Sequence, residues 1–488
     1  MRWKGRLKTF GAVLASLLVA SAPAGAGLVG GTGYGVNEPT MDTRTGKSYA
    51  GGMDVVYAQI ATGTAAAKTR SFLKCEDGDW SGNWGVQVAM YDYRGKFVGT
   101  LGSAVNPYGS GMYSVFAQGL KVDPTPDGGG NRAVWFSMTG SGADEGDWYT
   151  VTVNPDFNTV VSGPTAQFSQ AGNWEVEWNP VTGQGFFAGK ATDAWVEPHA
   201  IYIWTGTKLQ KVVDVGGYSC GFAFDPDGNL YTGTYTDSGP ASQQYVRMYT
   251  AAQVAAAVSS GTPLTPAAAA NTIAIPSPNG VYLGANDLEA DVDGNIYLTA
   301  NGAWDDTYQS DVGYVFRIDA WNPSSPPTTM TRIAAGTMDP SNPDWQKAMA
   351  FDGSSNLAEG GHYDPTNPSQ MGNRLYVDQD FWWGSGGPDV VSGLSTSTDT
   401  DADGVPDALD NAHLTANAAQ QDADQDMYGN IADADFNNDG LVGTTDMAIL
   451  KANWLGSNPV VDMDGNGTVG TSDFTRFKSR WLASAPFF

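Results

Sequence analysis

Phe224-Asp225-Pro226-Asp227-Gly228-Asn229-Leu230-Tyr231 reads as the end of an apolar strand, a tight turn and the start of an aromatic strand. Asp-Gly and Gly-Asn supply the positive φ that such a turn demands, and the flanking apolar residues suit half-buried strands. The theme recurs along the chain. It is seen from Met41 and Asp42 to Tyr49, from Val122-Asp123-Pro124 through Asn131 to Trp135, and from Trp178-Asn179-Pro180 to Phe187. It returns as Ala290-Asp291-Val292-Asp293-Gly294-Asn295-Ile296-Tyr297 and as Phe351-Asp352-Gly353, with a longer excursion to Leu375-Tyr376. The six leading Asp or Asn residues stand 46 to 81 positions apart, room for one four-stranded sheet and variable loops each. Candidate partner strands follow in order: residues 86–91, 149–153, 200–204 and 314–318. An Ala-rich stretch, residues 251–270, reads as an insertion with a short helix after Thr250.

The Phe-Asp-Pro-Asp-Gly-Asn-Leu-Tyr string resembles blades of the NHL and gluconolactonase-like β-propellers. The resemblance covers the hairpin of each repeat and implies a mainly β fold, a six-bladed propeller with five to seven as the range, over residues 27–398. A pair of β-sandwiches or a β-solenoid uses the same turns and stays open. The resemblance further implies a metal in a central channel, held by carboxylate and amide side chains at the starts of inner strands. Asn286 with Asp287, Asn173 with Glu175, and Glu38 stand in comparable places. The same residues would also serve to cap strands or bind channel water. No H-E-x-x-H or G-x-S-x-G pattern is present, and His199 and His362 are far apart, so no catalytic residue is named. Trp80, Trp84, Trp304, Trp382 and Trp383 could stack on sugar rings or pack between blades.

Charge narrows the partners. Among 488 residues, 52 Asp and Glu face 25 Lys and Arg, a formal charge of −27. Such a surface repels phosphate polymers and anionic lipid, so neither nucleic acid nor membrane is expected as a partner. Three His and two Cys are too few for a multi-zinc or iron–sulfur protein, whereas an excess of Asp suits hard cations, calcium first. The N-terminus carries Arg2, Lys4, Arg6 and Lys8, an apolar run over 10–21 and the A-x-A site Ala24-Gly25-Ala26. This pattern predicts a signal peptide over residues 1–26 and an extracellular protein, the alternative being an uncleaved anchor. In that setting Cys75 and Cys220 either form a disulfide or remain two buried thiols.

Composition changes near residue 399. From there to Phe488 stand fifteen Asp, no Glu and four cations: Lys451, Arg476, Lys478 and Arg480. Short carboxylates without Glu point to folding around a cation rather than to mere solubility. Asp399, Asp401, Asp403, Asp407 and Asp410, then Asp422, Asp424, Asp426 and Asp433, resemble thrombospondin type 3 calcium repeats across a linker, residues 399–434. Ala412 and Ala432 stand where that family places cysteines, and Met427 where it places Gly, so calcium would supply the missing order; a disordered acidic linker is the alternative.

The next segment, residues 435–488, is a duplication. Asp435, Asn437, Asp439, Leu441 and Asp446 fall at positions 1, 3, 5, 7 and 12 of a calcium loop, with Gly440 at 6 and Val442 at 8 set to pair with a neighbouring loop. Twenty-seven residues later Asp462, Asp464, Asn466, Thr468 and Asp473 repeat the plan, and each loop opens an amphipathic helix. Two such units with Asp at position 12 and no incoming helix resemble a type I dockerin. That resemblance implies contact with a cohesin module through Thr444, Thr445, Thr471 and Ser472, alike enough in both copies for binding in either orientation. A purely structural calcium domain is the alternative. The expectation is therefore a secreted, calcium-binding protein whose propeller binds a glycan or protein and whose dockerin-like module docks it to a cohesin-type partner or cell-surface assembly. The alternatives are a polysaccharide-active hydrolase, lyase or lactonase tethered by its dockerin, and a surface-layer or filament protein that self-associates.

Overall fold

The computed structural model describes residues 28–30, 35–37, 50–59, 68–77, 85–92, 97–105, 115–140, 146–190, 198–217, 221–234, 242–277, 282–291, 294–301, 314–336, 345–351, 375–381, 384–385, 389–392 and 401–402, and, further on, 412, 414–417, 421, 423, 428–437 and 441–483. Two short strands, β1 (Leu28–Gly30) and β2 (Gly35–Asn37), come first. Six antiparallel sheets then follow in chain order. Sheet 1 holds β3 (Ala50–Gln59), β4 (Lys68–Asp77), β5 (Gly85–Asp92) and β6 (Phe97–Val105), and sheet 2 holds β7 (Val115–Val122), β8 (Arg132–Gly140), β9 (Gly146–Val153) and β10 (Val160–Ser169). Sheet 3 is β11 (Val176–Trp178), β12 (Gly185–Gly189), β13 (His199–Trp204) and β14 (Leu209–Gly217); sheet 4 is β15 (Phe222–Phe224), β16 (Leu230–Thr232), β17 (Tyr245–Tyr249) and β18 (Asn271–Ala274). Sheet 5 is β19 (Gly284–Ala290), β20 (Ile296–Asn301), β21 (Tyr314–Ile318) and β22 (Thr331–Gly336), with β1 on its outer edge. Sheet 6 is β23 (Trp345–Phe351), β24 (Leu375–Phe381), the short β25 (Gly384–Ser385) against β24, and β26 (Asp389–Ser392), with β2 outermost.

The first strands of the sheets, β3, β7, β11, β15, β19 and β23, pack side by side in that order, and β23 returns to β3. The circuit is closed, the chain from 28 to 392 is a β-propeller, and its inner strands surround a central channel. Apolar cores lie between neighbouring sheets. One joins Leu73, Val88 and Met90 to Leu120, Phe136 and Val151; another joins Tyr231, Val246 and Met248 to Leu288, Leu298 and Phe316. Between sheets 2 and 3 the filling is aromatic, with Phe168 edge-on to Phe187 at 4.9 Å and stacked on Trp204 at 4.6 Å.

The recurring turn string has a structural cause. The Asp225 carboxylate accepts from the Asn229 backbone N–H (2.9 Å), its Nδ2 (2.8 Å) and the Tyr231 hydroxyl (3.4 Å), with Gly228 at φ +80°. Asp291 repeats this with Asn295 and with Tyr297 (3.0 Å). Asn229 and Asn295 in turn accept the N–H of Ala251 and Ala320, pinning the exit of the third strand in each sheet. Asp, Asn and Tyr at this spacing are thus one clip that satisfies the turn's buried donors. The copies led by Asp123, Asn179, Asp225 and Asp291 all join the first two strands of a sheet, and Phe351 closes the first strand of sheet 6. The partner strands expected at 86–91, 149–153, 200–204 and 314–318 lie within or coincide with β5, β9, β13 and β21.

The copy led by Asp42 lies outside the described residues, and sheet 1 places its first hairpin elsewhere, with Gln59 opposite Lys68. The Ala-rich insertion joins β17 to β18. Its helix α1 (Ala251–Ser260) starts with a reciprocal cap, Gln253 N–H to Thr250 Oγ1 and Thr250 N–H to Gln253 Oε1, and ends at Gly261 with φ +68°. Cys75 is buried in β4, its Sγ donating to Ser137 O at 3.8 Å; Cys220 lies outside the described residues. No helix among the described residues is long and apolar enough to cross a membrane.

Candidate functional sites in the channel and the C-terminal loops

Inner strands bring charged side chains to the channel from four sheets. Counting back two residues from each turn Asp or Asn gives Lys121 on β7, Glu177 on β11, Ala223 on β15 and Glu289 on β19; counting back four gives Gly119, Glu175, Gly221 and Asp287. Lys121, Glu175, Glu177, Asp287 and Glu289 are all buried. The Lys121 ammonium donates to Glu289 Oε1 and lies 2.9 Å from Glu177 Oε1. Buried Asp54 of β3 accepts the Val122 N–H at 2.8 Å, which fixes the backbone beside Lys121. Sheet 4 makes the convergence possible. A Cβ on Gly221 would sit 2.3 Å from Asp287 Cα, so only glycine allows β15 to lie this close to β19.

Burial dominates the electrostatics of the channel. It pushes Glu175 well above the usual carboxylate range, with Asp287 and Glu177 adding to the rise and Lys121 opposing it. Glu289 is raised well above that range by burial, against the pull of Lys121 and with the push of Glu177 and Asp287. Glu177 is raised to about 7 by burial, with Lys121 opposing and Asp54 and Asp287 reinforcing. Carboxyls crowded into a low dielectric bind a proton more readily than in water, and the Lys121 ammonium opposes that tendency for Glu177 and Glu289.

Of the channel residues expected from sequence, Asn173 and Glu175 are buried just before β11, Asn286 and Asp287 are buried within β19, and Glu38 lies outside the described residues. Among the described residues their carboxylates are not part of a group of three acidic or imidazole ligands within 4.8 Å of one another. Asn173 Nδ2 is turned to the carbonyls of Asp147 (3.1 Å) and Met138 (3.4 Å), Glu175 Oε1 accepts Val176 N–H (3.1 Å), and Asp287 Oδ1 accepts Leu288 N–H (2.8 Å). Between Glu177 and Glu289 a cation is already present, the Lys121 ammonium. Lys121, Glu177, Glu289 and Asp54 were not singled out in the sequence. For Lys121, Glu177 and Glu289 the signal is a charge at one fixed offset from the turn inside apolar strands, as in Leu120-Lys121-Val122 and Leu288-Glu289-Ala290. His199 is buried near Gly172; His362 and the five tryptophans proposed for stacking lie outside the described residues.

The C-terminal region carries two loop–helix units. Helix α2 (Thr444–Ala452) follows the first loop and α3 (Thr471–Ser479) the second. Both start identically. The Gly443 N–H donates to Asp446 Oδ2 (2.8 Å) and the Asn437 N–H to Asp446 Oδ1 (3.3 Å); the Gly470 N–H donates to Asp473 Oδ2 (2.7 Å) and the Asp464 N–H to Asp473 Oδ1 (3.1 Å). The position-12 Asp therefore ties its loop to its helix, and its charge suits the helix N-terminus. Among the described residues one grouping brings three acidic side chains within 4.8 Å: Asp462, Asp464 and Asp473. Backbone N–H groups of Asn466 and Gly467 hold Asp462, and Gly467 sits at φ +88°. Hydrogen bonding to Ser472 leads the causes that lower the Asp464 carboxyl, partial burial opposing it. An oxygen-only set fits a hard cation, with Asp462, Asp464, Asn466, Thr468 and Asp473 as its holders.

Of the first loop, Asp435 and Asp446 are buried, Asn437 is half-buried, Leu441 is exposed and Asp439 lies outside the described residues. Thr444, Thr445, Thr471 and Ser472 are exposed. Of the linker, buried Asp433 accepts the Asp435 N–H at 2.8 Å, Asp401 is half-buried, and Asp399, Asp403, Asp407, Asp410, Asp422, Asp424 and Asp426 lie outside the described residues. Ala412 and Ala432 are fully buried.

One expectation needs correction. Val442 and Val469, at position 8, do not pair with each other. Val442 exchanges hydrogen bonds with Leu482 and Ala483 after α3, and Val469 with Leu455 and Gly456 after α2, all at 2.8–3.0 Å. Each loop is thereby closed by the chain that follows the other helix, and Leu455 and Leu482 take φ of +62° and +63° to make the turn. The core beneath, Phe436, Val442, Leu450, Val461, Met463, Val469 and Phe477, joins the two units.

No family model matches the chain, and no curated protein matches it. Solved structures resemble it in fold. A glucose dehydrogenase is 11% identical with TM-score 0.42, the match covering 73% of this chain and 99% of that one. An α-L-arabinanase of Penicillium chrysogenum is 12% identical with TM-score 0.42, covering 74% and 97%. A protein described as a gluconolactonase is 12% identical with TM-score 0.32, covering 74% and 93%.

Proposed function

We propose that the chain is an exported calcium-binding protein in which a six-bladed propeller recognises an extracellular ligand, a glycan or a protein, and a dockerin-like module attaches it to a cohesin-type partner or surface assembly. The observation that carries this reading is the duplicated loop–helix unit, with the Asp462, Asp464 and Asp473 carboxylates drawn together and the same bonds at both helix starts. A calcium ion there would neutralise carboxylates that otherwise repel, and the helices presenting Thr444, Thr445, Thr471 and Ser472 would be ordered with it. Docking on such a surface depends on calcium. The test is calorimetric titration of calcium into chelator-treated full-length protein, followed by far-ultraviolet circular dichroism. Saturable binding with a gain of helix, lost in Asp446→Asn/Asp473→Asn, is expected; no binding sinks the reading.

The proton-holding carboxyls of the channel favour a second reading, a polysaccharide-active enzyme tethered by the same module. Glu177, raised to about 7, would then serve as acid or base. Release of reducing ends from polysaccharides by wild type but not by Glu177→Gln would support it, and equal release by both would reject that role.

A further inference from the structure

We infer that Lys121 is the resident cation of the channel, its ammonium taking the place a metal ion would hold between the carboxylates of β11 and β19. The side chain is 3% exposed, and its two partners are 10% and 5% exposed, so all three charges are out of water. Three strands from three different sheets meet on this one group. Sheet 4, which lies between the two glutamate-bearing sheets, offers Ala223 and Gly221 at the matching positions, so no side chain of that strand parts the two carboxylates. The ammonium is also held in place. Its backbone neighbour Val122 is fixed by Asp54, which restrains the lysine stem. An ammonium and a hard metal ion satisfy the same need here, positive charge among oxygens, but the ammonium also donates directed hydrogen bonds and cannot be removed by a chelator. Asp54 and Asp287 also act electrostatically on these glutamates, as does Glu175. The propeller is thus expected to hold its channel together without metal, in contrast to the C-terminal loops.

The test uses the full chain carrying Asp446→Asn/Asp473→Asn, so that the second and first C-terminal loops are silenced, and follows unfolding of the β-rich transition. With Lys121 present, that transition is expected at the same temperature in chelator and in millimolar calcium or magnesium. Lys121→Met on this background should unfold at a lower temperature in chelator, and should be moved back up by divalent ions or by acidification to about pH 5, where the carboxyls carry protons. Adding Glu177→Gln/Glu289→Gln to Lys121→Met should abolish the divalent-ion response and shrink the acid one. A rise with divalent ions while Lys121 is present, lost on Glu175→Gln or Asp287→Asn, would overturn the proposal by making the channel a metal site in its own right. So would a Lys121→Met protein indifferent to metal and pH. Should Lys121→Met yield only unfolded chain, the triple replacement decides: folded and indifferent to divalent ions supports charge compensation by Lys121, and equally unfolded overturns it.

Discussion

The channel and the second C-terminal loop both gather carboxylates, yet they treat them in opposite ways. In the channel Glu175, Glu177 and Glu289 are buried against one another, and burial raises all three. In the loop Asp462 and Asp473 each accept two backbone N–H groups, and hydrogen bonding holds Asp464 below its usual range. For the channel glutamates desolvation outweighs the donors and favours the protonated acid, whereas for Asp464 hydrogen bonding outweighs burial and favours the anion. The first arrangement needs a built-in cation or protons; the second is ready for a cation from outside. Acid count alone therefore says little about metal binding, and the backbone around each carboxylate says most.

The largest effect expected from breaking this contrast is that of Lys121→Met, which strands two buried carboxyls and should cost about 3–5 kcal/mol in denaturant unfolding of the propeller. Calcium removal should act on the other region. At about a hundredfold excess over Kd, calcium would stabilise the C-terminal units by ~2.7 kcal/mol, read as a chelator-dependent shift of a separate thermal transition. Acidity should divide the two regions by sign. Glu177 keeps its proton to about pH 7 when folded but loses it near 4.5 when unfolded, so its contribution is full below the unfolded value and is lost as pH rises through 7. The propeller should accordingly gain on the order of 1–3 kcal/mol between pH 8 and pH 5, measured by denaturant midpoints. Asp464 runs the other way: its lowered carboxyl stabilises above the unfolded value of 3.8 and fails as pH falls through its folded one. The smallest effect belongs to Tyr297→Phe, which removes one bond to Asp291 and should cost ~1 kcal/mol while moving neither the metal nor the pH response.

The propeller was legible because its turns are chemically specific. Asp225 and Asp291 each bind an Asn side-chain amide and a Tyr hydroxyl that other residues would not supply, so the string repeats in sheets 4 and 5. Sheet 1 was misplaced because residues 60–67 join β3 to β4 without Asp, Asn or Pro, leaving the similar string at 42 to draw the reading. The channel was half legible. Asp287 and Glu175 stand within two residues of an Asn shortly before a turn string, but Lys121 and Glu289 lie 168 positions apart, and only closure of the ring makes them partners. The C-terminal ligand spacing is local and could be read directly. The crossed pairing of Val442 and Val469 could not, because it depends on how the two helices are folded onto one core.

The outer strands of sheets 5 and 6 come from the very beginning of the propeller segment: Leu28 faces Gly336, and Val36 faces Val391. A chain emerging from its N-terminus therefore presents the clasp first and uses it last, since neither partner strand exists until more than three hundred residues have followed. Closing so long a loop is costly in entropy and slow, so assembly of this ring is a late, whole-chain event. Shortened forms that end before β26, or that begin after β2, leave a bare sheet edge, an invitation to join the edge of a second molecule.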